Sequence, residues 1–246
     1  MKKLIITKNS LPTAYCNYTL EKSKDGLSQN VYFLGERFVL KVAKENEIKI
    51  YNQLLKYNLK VPKVVDSFEV DGFVVLVFEK IKGDYPNKNN LSQLREICSF
   101  AKRLHSLNIS IKKAPFQIKK PPKEIKLLIK ELNITPKSNT FIHGDLFVDN
   151  TKFIGDSLSG VFDFSDSGMG DKNFEYGVIA LSWCNQNSKP NIECIKEIFG
   201  WVDIDFLEFL DYIGYASLFY ASKRFALGVD YQDLIKFYKE LRKIKW

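Results

Sequence analysis

The stretch that decides the reading runs from Phe141 to Asn150, FIHGDLFVDN. Two apolar residues lead into eight positions that hold one histidine, two aspartates and an asparagine. The whole chain has only two histidines. Asp145 stands five positions before Asn150, so a carboxylate and a side-chain amide share one short loop behind an apolar segment. A polar loop carried on a buried strand is a usual place for chemistry.

Working outward, 246 residues suit one large domain or two small lobes, with ample length to bury a core. The hydrophobic content of 45% and charged content of 27% are those of a globular chain. The longest purely apolar run is FVVLVF, Phe73–Phe78, far short of a membrane span. The three-residue apolar core of the N-terminus, Leu4-Ile5-Ile6, is too short for a signal peptide. Cys16, Cys98, Cys184 and Cys194 form no C-x-x-C pair, so neither a zinc knuckle nor a disulfide framework is expected. Four reduced core thiols in a cytoplasmic protein without membrane partners are expected instead. The net charge of +8 invites a nucleic-acid reading, but Lys outnumbers Arg 32 to 5, whereas base and phosphate readers favour the Arg fork. The excess is local: Lys112–Lys137 holds eight Lys against two Glu, and Ser222–Trp246 seven Lys/Arg against three acids. Solvated lysine faces account for it, and no nucleic-acid partner is expected.

The breaker-rich segment KGDYPNKNNLS, Lys82–Ser92, divides the chain into residues 1–80 and 81–246. Before it, NVYFL and RFVLKV are strand-like runs joined by Gly35-Glu36, a II′ hairpin turn with Gly first. VVDSFEV and FVVLVFEKI flank Asp71-Gly72, a strong two-residue hairpin signal. Between the hairpins, Ile48, Tyr51 and Leu55 recur at helical spacing, with Val61-Pro62 as the stop. After the divider helices dominate. One carries Leu94, Ile97, Ala101 and Leu104 on a face, and another Ile125, Leu128, Ile129 and Leu132. Three more are expected near 173–185, 205–226 and 230–245, and only residues 140–164 return to short strands (TFI, TKFI, SGVFDF). The expected class is α+β and bilobal: a small antiparallel-sheet N-lobe with one main helix, a larger mostly helical C-lobe, and a ligand cleft between them.

Phosphoryl transfer from a nucleotide needs a carboxylate to orient the attacking hydroxyl. It also needs hard oxygen ligands for Mg²⁺, a lysine on the phosphates and an acid to hold that lysine. A kinase catalytic loop reads H-R-D-x-x-x-x-N. His143-Gly144-Asp145 followed by Asn150 matches that spacing, with Gly in place of Arg. Thirteen residues on, GVFDF delivers Asp163 after an apolar run, and DFS replaces DFG. Upstream, RFVLKV puts Lys41 in a strand in the V-x-K context of a phosphate-binding lysine. Glu47 on the following helix is its expected partner, with Glu45 the alternative. Four elements in the required order make a specific signal.

With GVFDFSDSGMGDKNFEYG, the stretch FIHGDLFVDN resembles the aminoglycoside phosphotransferase/choline kinase/homoserine kinase superfamily, small-molecule relatives of the protein kinases. The likeness runs from about Gly26 to Ala226. It implies a protein-kinase-like fold, ATP (or GTP) and Mg²⁺ as cofactors, and a small-molecule hydroxyl as acceptor. Carried over position by position, it makes Asp145 the catalytic base and Asn150 and Asp163 the metal ligands. Lys41 with Glu47 becomes the phosphate grip, and FEKI, with Phe78, Glu79 and Ile81, the strap whose backbone meets the adenine. DGLSQN, with Gly26, Ser28 and Asn30, becomes the turn over the phosphates. It also departs from the pattern: that turn has a single Gly26, and Asp171 to Glu175 is followed by Tyr-Gly where relatives read D-x-x-x-D-L-A.

Blander roles stand beside these. His143 is expected to fix its loop by hydrogen bonds, and His105 to sit in the core. Asp149 and Asp166 face a cationic substrate or cap turns, and Asp171 and Glu175 are further acids that could line an acceptor pocket. Trp183 is a core residue or a cation–π platform. A zinc hydrolase is disfavoured because the two histidines lie far apart, and Gly168–Gly170 lacks the third glycine of a dinucleotide fingerprint. The competing class is a pseudokinase that binds nucleotide as a regulatory module. The acceptor stays open among homoserine- and choline-like amino alcohols, sugars and aminoglycosides.

Overall fold

The computed structural model describes residues 4–23, 31–44, 47–109, 111 and 116–244. The chain forms two compact units, Met1–Lys82 with Ser159–Ser165, and Gly83–Leu158 with Asp166–Trp246. The fold is α+β, as the sequence predicts.

The first unit is built on a five-stranded antiparallel sheet of order β1-β2-β3-β5-β4, formed by β1 (Leu20–Lys22), β2 (Val31–Leu34), β3 (Phe38–Val42), β4 (Val64–Val70) and β5 (Phe73–Glu79). The hairpin, helix, hairpin order holds. At Asp71-Gly72 the turn has two residues, both at positive φ (51° and 79°), and Val70 pairs with Phe73. That mirror-image turn matches the twist of the strands it joins. The first hairpin differs from expectation. Leu34 pairs with Phe38, so three residues, Gly35 to Arg37, make the loop, with Gly35 at φ 57°. Strand β1 was not anticipated, since three residues with one apolar side chain carry no period to read. Leu34, Leu40, Val75 and Val77 are fully buried, and Leu4 and Ile6 of the N-terminal segment join their cluster.

Helix α1 (Glu47–Lys56) buries Glu47, Ile50, Tyr51 and Leu54. Only Tyr51 of the three residues read as its inner stripe is fully buried, while Ile48 and Leu55 flank the face. The rotation follows from Glu47, a charged residue drawn inside by a partner described below. The helix also ends sooner than Val61-Pro62, because Asn58 turns left-handed at φ 53°.

In the second unit, α2 (Leu91–His105) starts on Asn90, whose side chain accepts from the amides of Ser92 and Gln93. Its inner face is Leu94, Ile97, Ala101 and Leu104, as predicted. Helix α3 (Lys123–Ile129) fully buries only Ile125. Strand β6 (Thr140–Ile142) leads into the loop quoted above. β7 (Thr151–Ile154) and β8 (Ser157–Val161) follow, and β9 (Gly168–Gly170) returns antiparallel to β6 with Phe141 opposite Met169. Helix α4 (Lys172–Trp183) is apolar nearly all round and almost wholly buried. It approaches α6 (Phe206–Ala226) closely at Gly177, where a Cβ would stand 2.7 Å from the Tyr212 carbonyl oxygen. Helix α7 (Gln232–Leu241) closes the bundle.

The strand pair β10 (Asn185–Gln186) and β11 (Lys189–Pro190) and helix α5 (Ile192–Phe199) were not foreseen. The pair doubles the chain back, so Cys184 and Cys194 meet with Cα atoms 5.4 Å apart and are bonded. This corrects the expectation of four free core thiols. Cys98 is buried and free, and Cys16 is exposed. Among the described residues no helix is long and apolar enough to cross a membrane.

Candidate active site

In the first unit, Lys41 lies on β3 opposite Leu76, with only 12% of its side chain exposed. A lysine that deep requires compensating charge. Its Nζ donates to Glu47 and, at 2.8 Å, to Asp163 Oδ1. Burial works against the ammonium, but Asp163 and Glu47 outweigh it and hold Lys41 above the usual lysine range. Glu47 also accepts from the Lys44 amide, 3.1 Å away, which fixes the entry to α1.

Asp163 follows β8 in a left-handed conformation, φ 64°, rare for a residue with a side chain. Three groups hold it there. Tyr51 Oη accepts its amide at 3.1 Å, Ser165 Oγ donates to its Oδ1 at 2.7 Å, and Lys41 grips the same oxygen. The serine of DFS thus anchors the carboxylate before it. Burial raises the pKa of the Tyr51 hydroxyl, keeping it neutral between these charges, and its ring packs edge-on against Phe78 and Phe164.

Phe78 is buried on that ring, so its side chain serves the core. The Glu79 and Lys80 amides are committed to the carbonyls of Lys63 and Arg37. Of the strap residues, Ile81 packs at Gly160, where a Cβ would stand 2.5 Å from its Cδ1. Gly26, Ser28 and Asn30, and the alternative partner Glu45, lie outside the described residues.

In the second unit the quoted loop is tied down from several sides. Asn150 Nδ2 donates to the Asp145 carbonyl at 2.7 Å and to Asp145 Oδ2 at 3.0 Å. The five-residue spacing therefore closes on itself, and the bonds taken by Nδ2 leave the amide's other end, Oδ1, as its acceptor. His143 is fully buried, and its Nδ1 accepts the Asp145 amide at 3.2 Å. It braces the loop, as expected from the sequence. Burial raises the Asp145 pKa, opposed by Lys223 first and then by His143 and Tyr220.

Gly144 sits at φ 74°, and a Cβ there would stand 2.0 Å from the Phe116 ring. Both facts explain why glycine replaces the arginine of the kinase loop. Glu175 on α4, fully buried, accepts from the amides of His143 (3.1 Å) and Gly144 (2.6 Å) and faces His105 Nε2 at 3.0 Å. Burial opposes its charge, but the His105 hydrogen bond and the remaining donors prevail and hold its pKa below the usual value.

Several expectations change here. Glu175 and Asp171 are buried acids committed to protein donors. Glu175 is enclosed, and Asp171 caps α4 while accepting from Tyr212 Oη and the Lys137 amide, both at 2.8 Å. Trp183 is a core residue against Phe153, with 1% exposure and no face for a substrate. His105 is buried, but as a partner of Glu175. Asp149 is exposed, and Asp166 pairs with Lys223 at 2.6 Å. Tyr51 entered the sequence reading only as a helix-face residue and Ser165 only as the last letter of DFS, while Phe116, Tyr220 and Lys223 were not singled out, since nothing local marks them.

Among the described residues no group of three His, Cys, Asp or Glu could hold a metal. One or two protein oxygens completed by phosphate oxygens and water is the habit of Mg²⁺. Asp163 in the first unit and Asn150 in the second are each a residue type with a hard oxygen of that kind.

Comparison with known proteins adds to this geometry. The sequence model of the phosphotransferase enzyme family matches residues 112–193, a third of the chain that includes the quoted loop and Asp163. The structure of an aminoglycoside 2′-phosphotransferase-IIIa in its GDP complex superposes with a TM-score of 0.64 at 14% identity, over 92% of this chain and 91% of that one. The choline kinase LicA from Streptococcus pneumoniae gives 0.64 at 14% identity over 92% of both chains. The fold is that of the kinase-like phosphotransferases. A homoserine kinase from Methylocella silvestris is 42% identical over 43 residues, 18% of this chain and 13% of that protein's own length. These matches bear out the resemblance to the small-molecule kinase superfamily, and the kinase-like fold extends well beyond the stretch that carries the motifs.

Proposed function

We propose that the protein is a nucleotide-dependent small-molecule kinase that moves the γ-phosphoryl group of ATP, or GTP, to a hydroxyl of a small metabolite or aminoglycoside. The observation that carries this reading is the Asp145–Asn150 closure, a partly buried, raised-pKa carboxylate fixed by an amide five residues on. Support comes also from the Lys41–Glu47–Asp163 cluster, from the family match over residues 112–193, and from relatives of the same fold described in complex with GDP, AMP and ADP.

Asp145 accepts the acceptor hydroxyl's proton as its oxygen attacks, and its raised pKa brings its basicity nearer neutrality. Lys41, kept charged by its two carboxylates, steadies the nucleotide phosphates. Asp163 and Asn150 would each offer an oxygen to Mg²⁺, which would supply neutralisation of the phosphate charge. Glu175, through the His143 and Gly144 amides, keeps the base in place. Ile81 at the strap contributes backbone to the base of the nucleotide. Residues 1–80 serve the nucleotide, and residues 81–246 carry the catalytic loop and the acceptor. Asp149, and Asp166 with its Lys223 partner, are the acids assigned to the acceptor in this reading. Catalysis is positioning plus charge stabilisation.

The test is a Mg-ATP and Mg-GTP acceptor screen over amino alcohols, sugars and aminoglycosides, run beside Asp145→Asn. We expect transfer to one class, and a fall in kcat of about 10²–10⁴ in the variant, the span of general base catalysis, with nucleotide affinity unchanged. Nucleotide binding without transfer to any acceptor, identical in the variant, would replace this reading with a pseudokinase module.

A further inference from the structure

The peptide unit between Gly144 and Asp145 is held at both of its polar ends. Its N–H, on Asp145, donates to His143 Nδ1 at 3.2 Å, a bond made within the loop. Its carbonyl, on Gly144, accepts from Tyr220 Oη on α6, 76 residues away in sequence. A peptide unit is planar, so fixing both ends fixes how the whole plane is turned. Gly144, which has no Cβ and sits at φ 74°, restrains that plane less than any other residue type would. The plane on the far side of Asp145 is fixed as well. The Asp145 carbonyl accepts from the Phe147 amide at 2.8 Å and from Asn150 Nδ2 at 2.7 Å. His143, Phe147 and Asn150 belong to the loop itself; Tyr220 does not.

Tyr220 is itself well anchored. It is buried, and its ring meets Phe147 edge-on with centroids 4.7 Å apart and Phe219 edge-on at 5.2 Å. Phe147 in turn accepts the Asn150 amide on its carbonyl at 3.1 Å. One side chain therefore grips the loop twice, by its hydroxyl just before the base and by its ring just after it. Phenylalanine would serve the packing alone. A buried tyrosine hydroxyl needs a partner, and here that partner is the carbonyl next to the base. We propose that Tyr220 is a positioning residue for Asp145: its hydroxyl locks the Gly144–Asp145 peptide and so sets the direction in which the carboxylate points. The catalytic consequence rests on the function proposed above. The hold on the peptide does not.

Tyr220→Phe keeps the ring and its contact with Phe147 and removes only the hydroxyl. Hydrogen exchange of the Asp145 amide, followed by NMR, reads the hold with no nucleotide, acceptor or turnover. We expect exchange to quicken by about threefold to tenfold, the weight of one hydrogen bond. In the kinase assay kcat should fall by about 10- to 100-fold with the nucleotide KM unchanged, because a misaimed base touches only the chemical step. In the Asp145→Asn background the same substitution should cost nothing further, since no base is left to aim. A general weakening of the fold would instead lower both backgrounds equally. Unchanged exchange at Asp145 would overturn the hold. Equal losses in both backgrounds, or a raised KM with kcat intact, would overturn the positioning role. Turnover indifferent to Asp145→Asn would overturn the base itself, a separate failure, and exchange would still judge the hold.

Discussion

Replacing Glu175 by Gln tests how the catalytic loop is held. The carboxylate is fully buried and serves three donors: Gly144 N at 2.6 Å on one oxygen, His143 N at 3.1 Å and His105 Nε2 at 3.0 Å on the other. Glutamine keeps the shape but offers one acceptor oxygen and an NH₂. Its best orientation keeps the His143 and His105 bonds and turns NH₂ toward the Gly144 amide, donor against donor. That leaves a buried N–H unsatisfied, about 1–3 kcal/mol, and removes charge assistance from the remaining bonds, so the variant should lose about 2–4 kcal/mol. Urea unfolding at neutral pH reads the loss directly. Because the folded-state pKa of Glu175 lies below the ordinary value of 4.5, its ionisation stabilises the fold above that pH, and the contribution fades as pH falls through the folded pKa. The gap between wild type and variant should therefore be full at pH 7 and narrow below about pH 4.5. A loss under about 0.5 kcal/mol, within the noise of an ordinary surface substitution, or a gap that widens in acid, would refute the account of Glu175 as the loop's anchor.

The remaining predictions concern neighbouring groups. Lys223→Met removes the charge that most opposes the raised Asp145 pKa and leaves Asp166 unneutralised, so both effects push the Asp145 pKa higher. The acid limb of kcat should move to higher pH, read from a pH–rate profile, and a shift downward would contradict the assignment. Gly144→Ala must adopt φ 74° and displace the Phe116 ring, at a cost of roughly 2–5 kcal/mol from backbone strain and overpacking. Adding Phe116→Ala should return the overpacking share but not the backbone share, a coupling that a double-mutant cycle measures. Asp163→Ala frees Lys41 of one partner and should abolish Mg²⁺-dependent nucleotide binding in calorimetry. Ser165→Ala, which removes one hydrogen bond to Asp163, should weaken that binding by about fivefold to tenfold.

How much could be read in advance depends on sequence distance. The Asp71-Gly72 hairpin, the α2 face and the Asp145–Asn150 spacing are local patterns, and each is written within a few residues. The Lys41–Glu47 pair spans six residues and was accessible through the strand and helix that carry it. The Lys41–Asp163 bond joins positions 122 apart, and only a chemical requirement suggested that both residues matter. Glu175 was misjudged because an acid near a motif looks like a binding residue, and nothing in FEYG says that α4 is buried on every side. The Cys184–Cys194 bond escaped because the two-stranded turn that brings them together is built on pairs too short to show a period. Tyr51 was read only as a helix-face residue, although its hydroxyl holds the Asp163 amide.

The Phe116 ring reaches further than its neighbours suggest. It occupies the space where a side chain would grow from Gly144, and it also limits Gly170, whose Cβ would stand 2.7 Å from the ring. Two motif positions, one in HGD and one in GMG, are thus crowded by one residue that lies 28 positions before the first of them, with Ile142 pressing on Gly170 as well. In divergent relatives the third partner should vary in step: where the residue after the loop histidine is large, the counterpart of Phe116 should be small or gone. The motif letter that departs from the protein kinases is then an imprint of distant packing, and a catalytic signature searched with glycine fixed there would pass over enzymes that solved the same crowding from the other side.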